Sequence, residues 1–260
     1  MKGVSFFKGA AVLCIAAALA AGGANDLKRW YFKRQDDKNQ PPSAQQEIDL
    51  AQFSAYYLGD VSKKELYLTF DEGYENGFTE KILDVLLDKG VPAAFFVTKG
   101  YIEKNAELVV RMVAEGHVVG NHTVRHKSSP ALSKDELAAE LAGVAEAFSG
   151  LTGQNMPNFF RPPMGEYSEQ VLAVAQQEGY HTIFWSFAYE DWLENKQPGA
   201  AAAHKKVMEN LHNGEIMLLH AVSSSNAEAL PSIIDAVREA GYEFKSLWEL
   251  PGVSKEGGVL

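Results

Sequence analysis

The stretch Leu66-Tyr67-Leu68-Thr69-Phe70-Asp71-Glu72-Gly73 decides the fold. Its first five residues are a largely apolar run without polar alternation, as expected of a parallel strand buried on both faces, and it ends in two acids and a glycine. The same pattern recurs downstream. His117–Gly120 leads to His122 and His126, Phe159-Phe160 to Arg161, Phe184–Phe187 to Asp191 and Trp192, and Ile216–Leu219 to His220. Further strands are expected over 92–98, 181–186 and 243–245. Helices are expected over 79–88 (ended by Gly90), 105–114, 133–148, 169–177, 201–211 and 227–240. Ser133, with Glu136 three residues on, forms a capping box for the third of these. Seven strands alternating with helices predict an α/β fold, a distorted (β/α) barrel of parallel strands with outer helices. Such a barrel gathers its strand C-termini on one face.

At 260 residues and 46% apolar, the chain suits one full domain. Lys2 and Lys8 precede an uncharged run from Gly9 to Ala24 that ends in small residues. Residues 1–24 are therefore expected to be an export signal peptide, with an uncleaved anchor as the alternative. Cys14, the only cysteine, lies inside that run, so the exported chain would hold no disulfide. The formal charge is −10, and losing Lys2 and Lys8 makes it more negative still. An acidic chain without a Lys/Arg tract argues against nucleic acid or an anionic membrane as partner, and no stable membrane domain is expected. Residues 25–64 read as an irregular aromatic leader. Trp30, Tyr31 and Phe32, then Tyr56, Tyr57 and Leu58, are expected to pack on the outside or mouth of the domain, with sugar contact by Trp30 a lesser alternative. A polar turn over Asp36–Pro42 interrupts the leader, the catalytic unit spans 65–250, and 251–260 is a C-terminal tail.

Five segments carry the chemistry. Asp71 and Glu72 form an acid pair that can divide labour, one on a metal and one taking a proton, although acid-glycine turns are usually solvated surface. His122 and His126, four residues apart, would share a face if the segment makes a helical turn, a spacing that suits zinc or a similar divalent ion. A pair of hydrogen-bonding loop histidines is the alternative. Arg161-Pro162-Pro163-Met164-Gly165 is a stiff turn that could aim the Met164 N–H at an oxyanion while Arg161 holds a carboxylate; a strand-to-helix turn is the plainer reading. His220, with Asp191 as a candidate partner, would be a protonated acid for a leaving amine, or a histidine satisfying backbone at the barrel rim. The set has the composition of a metal-assisted hydrolase. His117, His181, His204 and His212 lack such company and are assigned to structure or surface.

Together these motifs resemble the polysaccharide deacetylase (NodB-homology) family, carbohydrate esterase family 4, over roughly 66–250. The resemblance implies a distorted (β/α) barrel that removes acetyl groups from acetylated sugars with a bound divalent metal ion, often zinc. It implies Asp71 as catalytic base and His122 and His126 as metal ligands, with Glu72 as a third ligand or, alternatively, water completing a two-histidine shell. Arg161 would orient the base, Met164 with Pro163 would form the oxyanion and substrate-lining turn, and Asp191 with Trp192 would tune and flank the acid His220. Three positions depart from the common pattern: Glu72 stands where Asp is usual, Ala188 where the fourth motif opens with Asp, and Met164 where Tyr is frequent.

Those departures, with Phe32-Lys33-Arg34 and Tyr57-Leu58-Gly59-Asp60, are similar to the subgroup that deacetylates N-acetylmuramic acid on the way to muramic δ-lactam in spore cortex. That implies a monomer acting on peptidoglycan glycan strands, outside the cytoplasm, after a separate amidase has removed the stem peptide. Two alternatives stand beside it: deacetylation of N-acetylglucosamine in peptidoglycan or a chitin-like polymer, and a non-catalytic glycan-binding protein.

Overall fold

The computed structural model describes residues 27–33, 42–44 and 48–253. The export segment expected over 1–24, Cys14, all but the last residue of the Asp36–Pro42 turn, Arg34 and most of the tail lie outside them.

Twelve strands run in chain order: β1 (Lys28–Arg29), β2 (Phe32–Lys33), β3 (Ser43–Ala44), β4 (Ala55–Tyr56), β5 (Glu65–Glu72), β6 (Ala93–Val97), β7 (Val118–Asn121), β8 (Phe159–Phe160), β9 (Glu166–Tyr167), β10 (His181–Ile183), β11 (Glu215–His220) and β12 (Glu243–Phe244). The main sheet has the order β11-β5-β6-β7-β8-β10-β4, all neighbours parallel, with β12 pairing the first residues of β5. Its two edges meet. Leu58 bridges Glu215, Phe187 bridges Met217, and the Leu218 N–H donates to the Phe187 carbonyl at 2.9 Å. The sheet is thus the expected distorted barrel of parallel strands, but its seventh wall strand is Ala55–Tyr56 rather than the one expected over 243–245, which pairs only with the start of β5.

Helices α1 (Thr79–Lys89), α2 (Lys99–Lys104), α3 (Ala106–Ala114), α4 (Lys134–Thr152), α5 (Glu169–Gln177), α6 (Ala200–Asn210) and α7 (Ser224–Glu239) pack outside. The Ser133/Glu136 capping box is present, and α1 ends at left-handed Gly90. The helix expected over 105–114 has a companion, because Thr98 caps the extra turn α2. The leader is less irregular than expected. Ala55–Tyr56 adds a strand to the barrel, and Lys28–Arg29 pair antiparallel with Glu166–Tyr167.

Strand alternation sorts β5 cleanly. Tyr67 belongs to the barrel-interior cluster with Phe96, Phe159, Ile183 and Ile216, while Leu66, Leu68 and Phe70 join the cluster under the helices. Thr69 and Asp71 share the parity of Tyr67, so Asp71 emerges at the interior of the barrel mouth and Glu72 does not.

Candidate active site

Asp71 is set by its strand. Its register partner across the β5–β11 ladder is His220, so the two side chains rise from adjacent strand ends. Arg161 follows β8 and fills the interior below them, fully buried, with its guanidinium 4.2 Å from the Phe96 ring centroid. Its Nη1 donates to Asp71 Oδ1 at 2.8 Å and to Thr69 Oγ1 at 2.9 Å, and its Nε donates to the Ile183 carbonyl at 3.0 Å. Burial would raise the Asp71 pKa, but Arg161, His122 and His220 outweigh it and hold the carboxyl below its ordinary value. Asp71 is an anion with one oxygen tethered and the other turned toward the mouth.

His122 follows β7, and its Nδ1 lies 2.8 Å from the Arg161 carbonyl oxygen. A carbonyl only accepts, so Nδ1 carries the proton and Nε2 keeps its lone pair, 3.6 Å from Asp71 Oδ2. The His126 ring stands edge-on to it, centroids 4.8 Å apart. The segment is not the helical turn expected. Thr123 and His126 both have positive φ (68° and 52°), and the loop is pinned by the His126 N–H donating to Thr123 Oγ1 at 3.1 Å. Burial pushes the His122 pKa down to about 4 and lowers that of His126. Both imidazoles are therefore neutral near pH 7, as metal ligation requires.

Glu72 requires a correction. It lies on the opposite face of β5, its Oε1 3.5 Å from Thr79 Oγ1 at the start of α1, and it is absent from the cleft lining. Burial, then Glu75 and Asp71, drive its pKa well above the ordinary carboxylate value. The reason is the two-residue period of a strand: adjacent side chains cannot both face the mouth. Among the described residues no group of three His, Cys, Asp or Glu side chains is arranged to hold a metal ion. The donors that fit a divalent ion are the two neutral imidazoles, with water and substrate left to complete its shell.

His220 is the second titrating centre. Its Nδ1 lies 2.7 Å from Asp191 Oδ1, and its backbone N–H donates to Asp191 Oδ2 at 2.9 Å. Burial opposes its charge, but the hydrogen bond and charge of Asp191 prevail and raise its pKa. Trp192 packs 5.2 Å from the His220 ring and is 44% exposed at the rim. Met164 is left-handed (φ 59°), 55% exposed, and its side chain lines the cleft. Pro163 is buried and is not among the lining residues, so it shapes the turn rather than meeting ligand. The cleft has a volume of about 750 Å³ and is lined by Asp71, His122, His126, His220, Met164 and Trp192 among others.

Two contributors were missed in the sequence. Asn226 in α7 donates to Asp191 Oδ2 at 2.5 Å and accepts from the Tyr189 hydroxyl. Glu140 in α4 accepts the Arg125 N–H at 2.9 Å and pairs with its side chain, holding the two-histidine loop from behind. Its signal was present: Glu140 lies on the apolar stripe Leu137, Leu141, Val144, where a buried acid needs a partner. Phe32 of the leader reaches the cleft wall, in keeping with the expectation that the aromatic leader packs at the mouth of the domain.

A depressed-pKa carboxylate beside a raised-pKa imidazole, over two neutral histidines, is the equipment of a hydrolase that splits amides or esters. A model of the polysaccharide deacetylase family matches residues 58–183. The chain is 41% identical to the peptidoglycan-N-acetylmuramic acid deacetylase PdaA of Bacillus subtilis, over 92% of this chain and 94% of the relative. The structure of that protein, a family 4 carbohydrate esterase, superposes with a TM-score of 0.84 over 87% of this chain and 97% of its own. A family 4 carbohydrate esterase from Bacillus anthracis is 47% identical with a TM-score of 0.68, over 77% and 88% of the two chains. A peptidoglycan-N-acetylglucosamine deacetylase of Bacillus cereus is 33% identical over 77% of this chain and 73% of the relative. The chain belongs to the polysaccharide deacetylases, carbohydrate esterase family 4.

Proposed function

We propose that this protein removes the N-acetyl group from N-acetylmuramic acid in peptide-stripped peptidoglycan, as a step toward muramic δ-lactam. The observation that carries the chemistry is the register pairing of Asp71 with His220, each held by its own buried partner, Arg161 and Asp191. The 41% identity to a muramic acid deacetylase over nearly the whole chain supports the choice of sugar.

A divalent ion held by His122 and His126 would act as a Lewis acid, polarising the acetamide carbonyl. The chain's own residues do the rest. Asp71, with Oδ1 fixed by Arg161, takes a proton from water through Oδ2 as the water oxygen adds to the carbonyl carbon. The Met164 N–H would donate to the oxygen that gains charge, and losing such a donor costs ~10²–10³ in turnover. His220, kept cationic by Asp191, gives its proton to the sugar nitrogen as the C–N bond breaks. Acetate and the free amine result, and the amine stands ready to close on the lactyl carboxyl.

The lactyl carboxyl is free only once the stem peptide is gone, so a separate amidase would act first. The apolar segment before Ala24 supports export to the cell wall or cortex space. Incubation of peptide-stripped peptidoglycan with added divalent ions, followed by mass spectrometry of the digested glycan, tests the proposal: an acetyl group should be lost from the muramic sugar. Loss from glucosamine alone would favour the second reading, which the 33% identity to a glucosamine deacetylase supports. Binding without acetate release would favour a non-catalytic glycan-binding protein.

A further inference from the structure

The strap Leu27–Lys33 precedes the residues matched by the family model, yet it is built into the cleft. Its fastening is specific. The Trp30 N–H donates to the Gly165 carbonyl at 2.7 Å, its indole Nε1 donates to the Trp185 carbonyl at 2.8 Å, and its ring stacks on Phe184 at 4.4 Å. Arg29 pairs with Glu166 at 3.1 Å. Gly165, directly after Met164, admits the strap only because it lacks a side chain: a Cβ there would lie 3.0 Å from Trp30 Cβ and 2.8 Å from Trp185 Cη2. Trp30 is buried, which excludes it from sugar contact, and the extended backbone turns Tyr31 out to 60% exposure. Phe32, on the same side as Trp30, forms cleft wall with Met164 and Trp185.

On a muramic sugar the lactyl ether at C3 is the ring neighbour of the acetamide at C2. A site that grips the acetamide over His122 and His126 must therefore house the lactyl group within a few ångströms. The wall beside His220 is filled by Trp192 and by Tyr74, whose hydroxyl lies 3.5 Å from the Trp192 carbonyl oxygen. The wall built by Phe32 and Met164 is apolar and open. None of the described cleft-lining residues is Lys or Arg, and the lactyl methyl has an apolar surface to meet in Phe32 and Met164.

We infer that the strap is part of the substrate site and that Phe32 is a specificity-determining residue, packing against the lactyl ether of the muramic sugar. The inference rests on the deacetylase reading above. It is tested by acetate-release kinetics of the wild type, Phe32→Ala and Phe32→Leu on peptide-stripped peptidoglycan and on a chitooligosaccharide, with divalent ion added. Loss of part of a buried phenyl contact should lower kcat/KM of Phe32→Ala on the muramic substrate about tenfold, mainly through KM. On the chitooligosaccharide the loss should stay within roughly threefold, and Phe32→Leu should recover most of the muramic activity, as an apolar contact predicts. Equal losses on both substrates, no loss on either, or a loss confined to kcat with a lowered Tm would each overturn the inference. Absence of muramic deacetylation by the wild type would instead overturn the deacetylase reading, and it is seen before any variant is made.

Discussion

Asp71 and Glu72 are neighbours whose pKa values shift in opposite directions. Arg161 helps hold that of Asp71 below its ordinary value, whereas burial and two other acids raise that of Glu72. Asp71→Asn keeps the shape but removes the proton acceptor, and acetate release should fall by ~10²–10⁴. Thermal unfolding should show the variant folded. Glu72 sits against Thr79 and outside the cleft lining, so in Glu72→Gln metal affinity by calorimetry should stay close to wild type, whereas His126→Ala should abolish it. A large loss in Glu72→Gln would return Glu72 to the ligand set. The pH profile follows from two signs. The folded pKa of Asp71 is depressed, so its ionised form is lost only as pH falls below the ordinary carboxylate value of about 3.9. That of His220 is raised, so its charge is complete below about 6.5, the unfolded value, and is lost as pH rises through the folded one. Activity should be bell-shaped, and Asp191→Asn should move the alkaline limb to lower pH.

Among elements, the strands were legible because continuous apolar runs ending in polar residues identify buried parallel strands and their mouths together. Glu72 was misplaced although its cause is equally simple: two adjacent acids suggest a pair, whereas the strand period separates them. The short strand Ala55–Tyr56 has two residues and leaves no periodicity to read. Asn226 was hidden by its position in the first turn of α7, where the Ser223 cap explained the sequence locally and nothing pointed back to Asp191. Helix α4 reaches the site through Glu140 and through the Leu141 carbonyl, which accepts from Asn121 Nδ2 at 2.8 Å, while Asn121 Oδ1 accepts the Thr123 N–H at 3.0 Å. Glu140→Ala removes acceptors from the Arg125 backbone and side chain, which should cost about 1–3 kcal/mol of stability in denaturant unfolding. It should also weaken metal binding by freeing the left-handed histidine loop. Unchanged metal affinity would show that Thr123 and Asn121 suffice to hold it.

For the molecule as a whole, charge and topology set the conditions of use. A chain of formal charge −10 meets a glycan whose exposed lactyl groups are also anionic. Raising ionic strength from ~0.01 to ~0.15 M shortens the screening length from about 30 to 8 Å, so KM for that glycan should fall. A rising KM would reveal a cationic docking surface.

The ladder between β5 and β11 joins residues far apart in the chain, pairing Thr69 with Leu218, and the Thr69 hydroxyl adds a bond to the Met217 carbonyl across a sequence separation of 148. Until the chain beyond residue 215 is in place, one side of the central strand offers bare amides and carbonyls to any other polypeptide. A gene fragment confined to 58–183 would therefore make a sticky, half-walled intermediate rather than an autonomous domain, and it should sediment as aggregate where the intact chain stays in the supernatant.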